Sequence, residues 1–154
     1  MSAGRILGVD YGERRVGLAL SDPLGLTAQP LAQIDRGNDA QLTEAIGEII
    51  QEHDVERVVV GMPVGLSGGD TARARRTRRL IAHLRRRLGL PVEAWDERLS
   101  TAEADRTLIE TNVRPGRRGR RRDLIAAQLI LQGYLDRRRD PSGSADPAKP
   151  ARLP

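Results

Sequence analysis

The sequence predicts one α/β domain, built as a mixed five-stranded sheet (an antiparallel meander plus parallel strands) flanked by helices. Two observations predict it: three short strand-like runs with tight connections come first, and helical and strand-like segments then alternate. The chain of 154 residues, 38% of them apolar, is long enough for one buried core. We therefore predict a domain over residues 1–138 and a disordered Pro/Ser/Ala-rich tail over residues 139–154.

The antiparallel meander is predicted from the first third of the chain. Arg5 to Tyr11 is an apolar run, Val16 to Leu20 follows after a turn, and Pro30 to Ile34 is a weaker third strand. Asp39 to Glu52 then shows helical periodicity, with its acidic residues on the outer side. Val58 to Val60 is β-branched, which favours a buried central strand.

The second half of the domain continues the alternation. Thr71 to Leu88 has an apolar stripe at helical spacing, and Pro91 to Trp95 reads as the fifth strand. A capping box at Ser100 to Glu103 predicts a third helix that runs to about Glu110. The segment from Arg114 to Arg122 is expected to be a flexible loop, after which Asp123 opens the last helix.

Basic charge is concentrated in two segments. Arg73 to Arg87 contains eight arginines and Arg114 to Arg122 contains six, and neither segment contains an acid. These 14 are more than half of the 26 basic residues, so the rest of the chain is net acidic. A general preference for arginine over lysine explains why these basic residues are arginines, but it does not explain why they cluster in two segments. The clustering predicts a surface that binds nucleic acid.

Several classes of protein are excluded or disfavoured by composition. The chain has no cysteine and two histidines, which excludes disulfides, thiolate catalysis and Cys- or His-rich metal sites. The glycine-rich loop from Gly65 to Gly69 lacks a Walker lysine, so it is not a P-loop. No apolar run reaches the ~18 residues of a membrane span, and no signal peptide precedes the first strand. A cytoplasmic protein without a membrane partner is expected.

Four carboxylates are candidates for the chemistry. Asp10 ends the first strand, Asp96 and Glu97 end the fifth, and Asp123 sits in the first turn of the last helix. If the first and fifth strands are neighbours, these side chains can gather at one edge of the sheet. Such a cluster suits Mg²⁺ or Mn²⁺, and two such ions can cleave a phosphodiester.

Each carboxylate also has a structural interpretation. Asp10 alone is better explained as an acceptor for turn amides, and Asp123 as an acid favoured by the helix dipole. Asp96 and Glu97 fit a surface ion network with Arg98. The prediction of a metal site therefore rests on the occurrence of all four carboxylates together and not on any one of them.

That combination resembles the YqgF/RuvX family. The segment from Gly8 to Asp22 (GVDYGERRVGLALSD) is similar to its opening motif, and Gly61-Met62-Pro63 to its second. Asp96 to Ala104 (DERLSTAEA) is similar to the third motif, and Asp123 to Leu135 (DLIAAQLILQGYL) to the fourth. The four motifs occur in order and span nearly the whole domain.

The resemblance implies a ribonuclease H-like fold and a metal-dependent nuclease. Carried over by position, Asp10, Glu97 and Asp123 would be the catalytic metal ligands, with Asp96 as the alternative to Glu97 because neighbouring strand residues point to opposite faces. The arginines expected to contact nucleic acid are Arg15, Arg73, Arg76, Arg98, Arg117, Arg118, Arg120 and Arg121.

The function expected from the resemblance is 5′-end processing of pre-16S ribosomal RNA, with the small ribosomal subunit as a candidate partner. Two alternatives stay open: a resolvase of four-way DNA junctions, and a non-catalytic RNA-binding factor. A resolvase would be a symmetric dimer, whereas a processing nuclease can act as a monomer or homodimer. A sugar-kinase-like phosphotransferase ranks last, because that fold needs a far longer chain.

Overall fold

The computed structural model describes residues 4–63, 71–96 and 118–139, with the side chains of the last segment described from Leu124 onward. The strands are β1 (Arg5–Tyr11), β2 (Arg15–Ser21), β3 (Ala28–Asp35), β4 (Val55–Met62) and β5 (Val92–Asp96). The helices in these residues are α1 (Asp39–His53), α2 (Ala72–Leu88) and α3 (Arg118–Arg139).

The five strands form one mixed sheet in the order β3-β2-β1-β4-β5. β1, β2 and β3 pair antiparallel, whereas β4 and β5 run parallel to β1. The predicted meander with added parallel strands is confirmed. β1 is central and six of its seven residues are buried, as expected for a strand covered on both faces.

The sheet separates two apolar clusters. On one face, alternate residues of β1 (Leu7, Val9, Tyr11) pack with Leu42 and Ile46 of α1 and with α2. On the other face, Ile6 and Ala19 pack against α3. Period-2 alternation along each strand therefore decides which helix layer a side chain meets.

Helices α1 and α2 begin and end at residues that satisfy their free backbone groups. Asn38 caps α1, and its side chain and that of Gln41 form a reciprocal capping box. Thr71 caps α2 by accepting from the Ala74 amide at 3.0 Å. α2 ends at Gly89, whose φ of 69° suits glycine.

One condition stated for the carboxylate cluster is not met, and one detail of the predicted architecture is wrong. β1 and β5 are not neighbours, because β4 lies between them and pairs with both. α3 begins at Arg118 and not at Asp123, so residues 118–122 belong to a helix and not to a loop. Arginine is a good helix former, and the helix extends through this run despite the favourable start signal at Asp123.

Three expectations lie outside the described residues. They are the helix predicted from Ser100 to about Glu110, the glycine-rich loop from Gly65 to Gly69, and the tail from Asp140 onward.

Candidate active site

Asp10 is the buried carboxylate at the end of the central strand. Its residue is 6% exposed, and it is the penultimate residue of β1, opposite Gly17 of β2. Because Ile6 and Gly8 contact the α3 layer, alternation places Asp10 on that same face. Burying a carboxylate to this degree destabilises the fold unless the carboxylate has charged or hydrogen-bonding partners.

Gly8 allows α3 to lie directly against β1. A Cβ at Gly8 would be 2.8 Å from the Leu131 Cβ and 3.2 Å from the Ala127 carbonyl oxygen, both on α3. Asp10 follows Gly8 by two residues on the same face. The backbone of Asp123 lies one helical turn before Ala127 on the same side of α3. The close approach at Gly8 thus connects the strand bearing Asp10 to the helix bearing Asp123.

A tight turn fixes the backbone that follows Asp10. The Gly12 amide donates to the Arg15 carbonyl at 3.0 Å, and a Cβ at Gly12 would lie 2.5 Å from that oxygen. Glycine is therefore required there on steric grounds. Arg15 begins β2 and, being two residues from Gly17, belongs to the same sheet face as Asp10.

The first turn of α2 brings positive charge to Asp10. The Nη2 atom of Arg73 lies 3.9 Å from the Asp10 Oδ1, and Arg73 is half-buried. Arg73 therefore reaches the end of β1 although the body of α2 packs on the opposite face of the sheet. The fold thus brings together two residues that the sequence singled out separately, Asp10 as a catalytic carboxylate and Arg73 as a contact to nucleic acid.

Tyr11 forms a second polar cluster, on the α1/α2 face. Its hydroxyl donates to Asp39 Oδ1 at 2.8 Å, and the Arg36 guanidinium lies 5.4 Å from its ring centroid. Burial, followed by the hydrogen bond to Asp39 and the charge of Asp39, raises the Tyr11 pKa to about 12, against the opposing charges of Arg36 and Arg76. Sequence reasoning placed Arg76 with nucleic acid but missed this cluster. The Asp-Tyr-Gly sequence was its only local signal.

The end of β5 presents adjacent residues to opposite faces. Trp95 contacts the α3 layer, where its ring meets Tyr134 edge-on at 5.9 Å between centroids and packs on Gly133. Val92 packs in the α1/α2 cluster, so alternation assigns Asp96 to that side, away from the Asp10 face. Glu97 and Arg98 lie outside the described residues.

The basic residues predicted near α3 are only partly described. The backbones of Arg118, Arg120 and Arg121 lie in the first turn of α3, and nothing is described of their side chains or of Arg117. Asp123 lies in the second turn, not the first as predicted, which weakens its interpretation as a helix-start acid.

The donor chemistry of the candidate site fits a hard cation. Asp10 offers carboxylate oxygens, the ligand type that Mg²⁺ and Mn²⁺ prefer, near the carboxyl end of β1. Within residues 4–63, 71–96 and 124–139, no three His, Cys, Asp or Glu side chains lie close enough together to hold a metal ion. The side chains of Glu97 and Asp123 are not among them.

The described part of the chain contains the helices α1, α2 and α3. None of them is both long enough and apolar enough to cross a bilayer.

The architecture is that of the ribonuclease H-like resolvases. RuvC of Thermus thermophilus, solved with a Holliday junction substrate, superposes with a TM-score of 0.57 at 15% identity, covering 90% of this chain and 97% of RuvC. The fowlpox virus resolvase, also solved with a Holliday junction, gives 0.53 at 14% identity, covering 86% of this chain and 97% of the other. At these identities the likeness establishes the fold.

The particular family follows from the sequence comparison. A family model described as "RuvX: Holliday junction resolvase" matches residues 4–137, and the chain belongs to this family of nucleases. A Symbiobacterium thermophilum protein is 50% identical over 134 residues, covering 87% of this chain and 93% of its own. A Halothermothrix orenii protein is 47% identical over 132 residues, covering 86% and 94%. Both carry the name "Putative pre-16S rRNA nuclease". Nucleases and resolvases of this kind generally use divalent metals.

Proposed function

We propose that this protein is a cytoplasmic nuclease that hydrolyses phosphodiester bonds in structured RNA, with the 5′ end of the 16S rRNA precursor as its substrate. The observation that carries the proposal is the buried Asp10 carboxylate at the end of the central strand, with Arg73 beside it. An acidic site with an adjacent arginine suits the cleavage of a polyanion: the carboxylate provides for the metal and the guanidinium attracts phosphate.

Asp10, Glu97 and Asp123 are the proposed ligands of Mg²⁺ or Mn²⁺. When bound, the metal would supply an activated water and stabilise the leaving oxygen. The protein's own contribution is positional: β1 holds Asp10 on the α3 face, and Gly8 lets α3 lie close enough to bring Asp123 toward it. The low exposure of Asp10 also limits the access of bulk water, which strengthens its electrostatic interactions.

The choice of Glu97 over Asp96 is supported by alternation in β5. Asp96 belongs to the face that carries Val92, whereas Asp10 belongs to the α3 face. A residue one position after Asp96 would return to the α3 face if the strand geometry continued. Glu97→Gln should therefore abolish cleavage, whereas Asp96→Asn should retain it. The reverse pattern would assign the ligand to Asp96.

Substrate contacts are assigned to arginines at the ends of the elements that surround Asp10. Arg15 shares the face of Asp10, and Arg73 and Arg76 lie in the first turns of α2. The remaining proposed contacts are Arg98, Arg117, Arg118, Arg120 and Arg121. Phosphate contacts of this kind position a substrate without reading its sequence.

Four-way DNA junctions are the second candidate substrate. The family description and the structural likeness to junction-bound resolvases favour DNA, whereas the names of the relatives at 42–50% identity favour RNA. The identity to relatives named as pre-16S rRNA nucleases supports RNA as the first candidate. Light scattering gives a further distinction, because paired symmetric cuts require a stable dimer, while RNA processing does not.

The deciding experiment measures Mn²⁺-dependent cleavage of a 5′-extended small-subunit rRNA precursor and of a four-way DNA junction. Asp10→Asn should lose more than about 100-fold in rate, because losing a direct metal ligand costs more than losing its supporting partner. Asp54→Asn is the matched control: Asp54 is exposed and ends α1 at a φ of 61°, which asparagine also accepts.

Cutting of RNA by the wild type and the control, lost in Asp10→Asn, supports the proposal. Preferential paired cuts in the junction would replace it with the resolvase. Equal rates for Asp10→Asn and Asp54→Asn would show that the carboxylate assignment is wrong.

A further inference from the structure

The outer side of α2 carries a row of arginines whose position suggests a second role. We call the α2 stripe the five exposed residues Arg75, Arg78, Arg79, Arg85 and Arg86. At 100° per residue they lie within an arc of about 120°. The buried residues of α2, such as Leu80 and Leu84, lie on the opposite side of the helix. The stripe thus faces away from the sheet.

Repulsion between the like charges of the stripe lowers the stability of α2. Arg75 and Arg79 are an i,i+4 pair of like charges, which destabilises a helix by roughly 0.2–0.5 kcal/mol. α2 contains no acid, so the helix itself offers no compensating pair. Arg85 is also oriented, because its Nε donates to the Val92 carbonyl at 2.9 Å. The phosphates of a nucleic acid are complementary to this concentration of positive charge.

The stripe begins in the same turn of α2 as Arg73, on the opposite side of the helix axis. Arg73, two residues before Arg75 on the same helix, lies 3.9 Å from Asp10. From Arg75 to Arg86 the helix rises by about 16 Å. The same length of double helix carries about five phosphates on each strand. The stripe is therefore a row of charge on the outer side of α2 whose length matches about five phosphates of one strand of a duplex.

The α2 stripe contains no aromatic side chain, which favours binding of a duplex over binding of a single strand. Surfaces for unpaired nucleic acid combine positive charge with aromatic rings on which bases stack. The 17 residues of α2 contain no Phe, Tyr or Trp, and the imidazole of His83 lies outside the arc of the stripe. Double-stranded RNA is held mainly through its shape, phosphates and 2′-hydroxyls, for which arginines alone suffice.

We propose that the α2 stripe binds the sugar-phosphate backbone of a double-stranded segment that flanks the cleaved strand. This rests on the proposed nuclease function and deepens it: the preferred substrate carries a helix of at least five or so base pairs on the side that α2 faces. The site at Asp10 would cut, and the α2 stripe would select substrates with a paired flank.

The test measures binding without metal in the Asp10→Asn background, so it does not depend on cleavage. Three RNAs share one unpaired segment and differ in the flank: about three base pairs, about twelve base pairs, or about twelve unpaired nucleotides. Arg79→Gln/Arg86→Gln removes two charges of the stripe. Arg87→Gln/Arg139→Gln is the matched control, since both arginines are exposed and lie off the stripe.

The stripe variant should bind the long-duplex RNA on the order of tenfold more weakly at ~0.1 M salt, with a salt slope smaller in magnitude by about two. Affinity for the short-duplex and unpaired RNAs, and the affinities of the control variant, should change by less than about twofold. Arg79→Lys/Arg86→Lys should restore most of the binding, and unchanged melting temperatures show that all variants fold.

Three results would overturn the proposal: an equal loss on all three RNAs, a larger loss on the unpaired flank, or an equal loss in the control. Cleavage is scored separately with the wild-type chain and with the stripe substitutions in an otherwise wild-type chain. If the wild type cuts no RNA, the nuclease assignment fails while the binding result stands. If the stripe variant cuts the short-flank RNA at the wild-type rate, the active site is intact and the stripe acts on binding.

Discussion

The two faces of the sheet are built from different kinds of side chain. The α1/α2 face is filled by large apolar residues, and Leu7, Leu18, Leu80 and Leu84 are all fully buried there. The α3 face has small residues next to the sheet, including Gly8, Ala19, Ala28 and Ala127, together with the buried Asp10. Both faces bury apolar side chains, but only the α3 face adds small residues that let a helix approach the Asp10 carboxylate closely.

α3 is attached to the sheet by side-chain hydrogen bonds to the backbone in addition to apolar contacts. Gln132 accepts from the Ala28 amide at 2.9 Å and donates to the Leu26 carbonyl at 3.0 Å, and Gln128 donates to the Ala28 carbonyl at 3.0 Å. These directional bonds fix the position of α3 along the start of β3. Apolar packing tolerates small shifts, whereas a catalytic carboxylate needs a fixed position. The α1/α2 face therefore supports stability, and the α3 face supports geometry.

The largest expected effect on stability is in the α1/α2 face. Leu84→Ala should lower the free energy of unfolding by about 2–5 kcal/mol, because Leu84 is fully buried and its removal leaves a cavity. Urea unfolding measures the loss. Cleavage per folded molecule should stay near the wild-type value at low temperature. Leu24→Ala, at a residue 78% exposed, is the control and should change stability by less than about 0.5 kcal/mol. If cleavage per folded Leu84→Ala molecule falls in proportion to its stability, the two faces do not have separate roles in stability and in geometry.

A smaller loss of stability with a larger loss of activity is expected at Gly8. Gly8→Ala should cost about 1–3 kcal/mol, because its Cβ would overlap Leu131 and push α3 away from β1. Cleavage at a temperature where the variant is folded should fall at least tenfold. Gly47→Ala in α1 is the control, since its Cβ would meet only Leu88 at 3.7 Å and alanine favours a helix. If Gly8→Ala cuts as fast as Gly47→Ala, the close approach of α3 does not set the site.

The smallest expected effect is alkaline destabilisation, which reports on each face separately. Burial, then hydrogen bonds to Asp39 and Glu93 respectively, raise the pKa of Tyr11 and of Tyr134 to about 12. A tyrosine whose pKa is raised on folding stabilises the native state below the unfolded pKa of about 10. That stability decreases as the pH rises from about 10 toward 12.

Urea unfolding between about pH 8 and pH 11 tests this dependence. Tyr11→Phe removes the contribution of the α1/α2 face, and Tyr134→Phe removes that of the α3 face. Each should make the curve flatter, and the double variant should be flattest. A decline as steep in the double variant as in the wild type would assign the pH dependence to other groups.

Much of the fold could be predicted from local sequence, and the failures have particular causes. The β-branched run at Val58 to Val60 identified a central strand, because only burial on both faces makes such a run favourable. The start of α3 was misplaced because Asp123 is a strong start signal, whereas the preceding arginines are compatible with both helix and loop. Local propensity does not decide between those two states.

Some features of the candidate site could likewise be predicted from sequence, and others could not. The sequence by itself determined that Asp10 ends a strand, that arginines cluster in the α2 segment, and that the chain folds as a mixed sheet with helices, because these depend on residue type and period. Only the tertiary structure decided that β4 separates β1 from β5, that Arg73 reaches Asp10, and that Asp96 belongs to the opposite face from Asp10. Strand order and sheet face depend on contacts between residues distant in the chain, which no local pattern encodes.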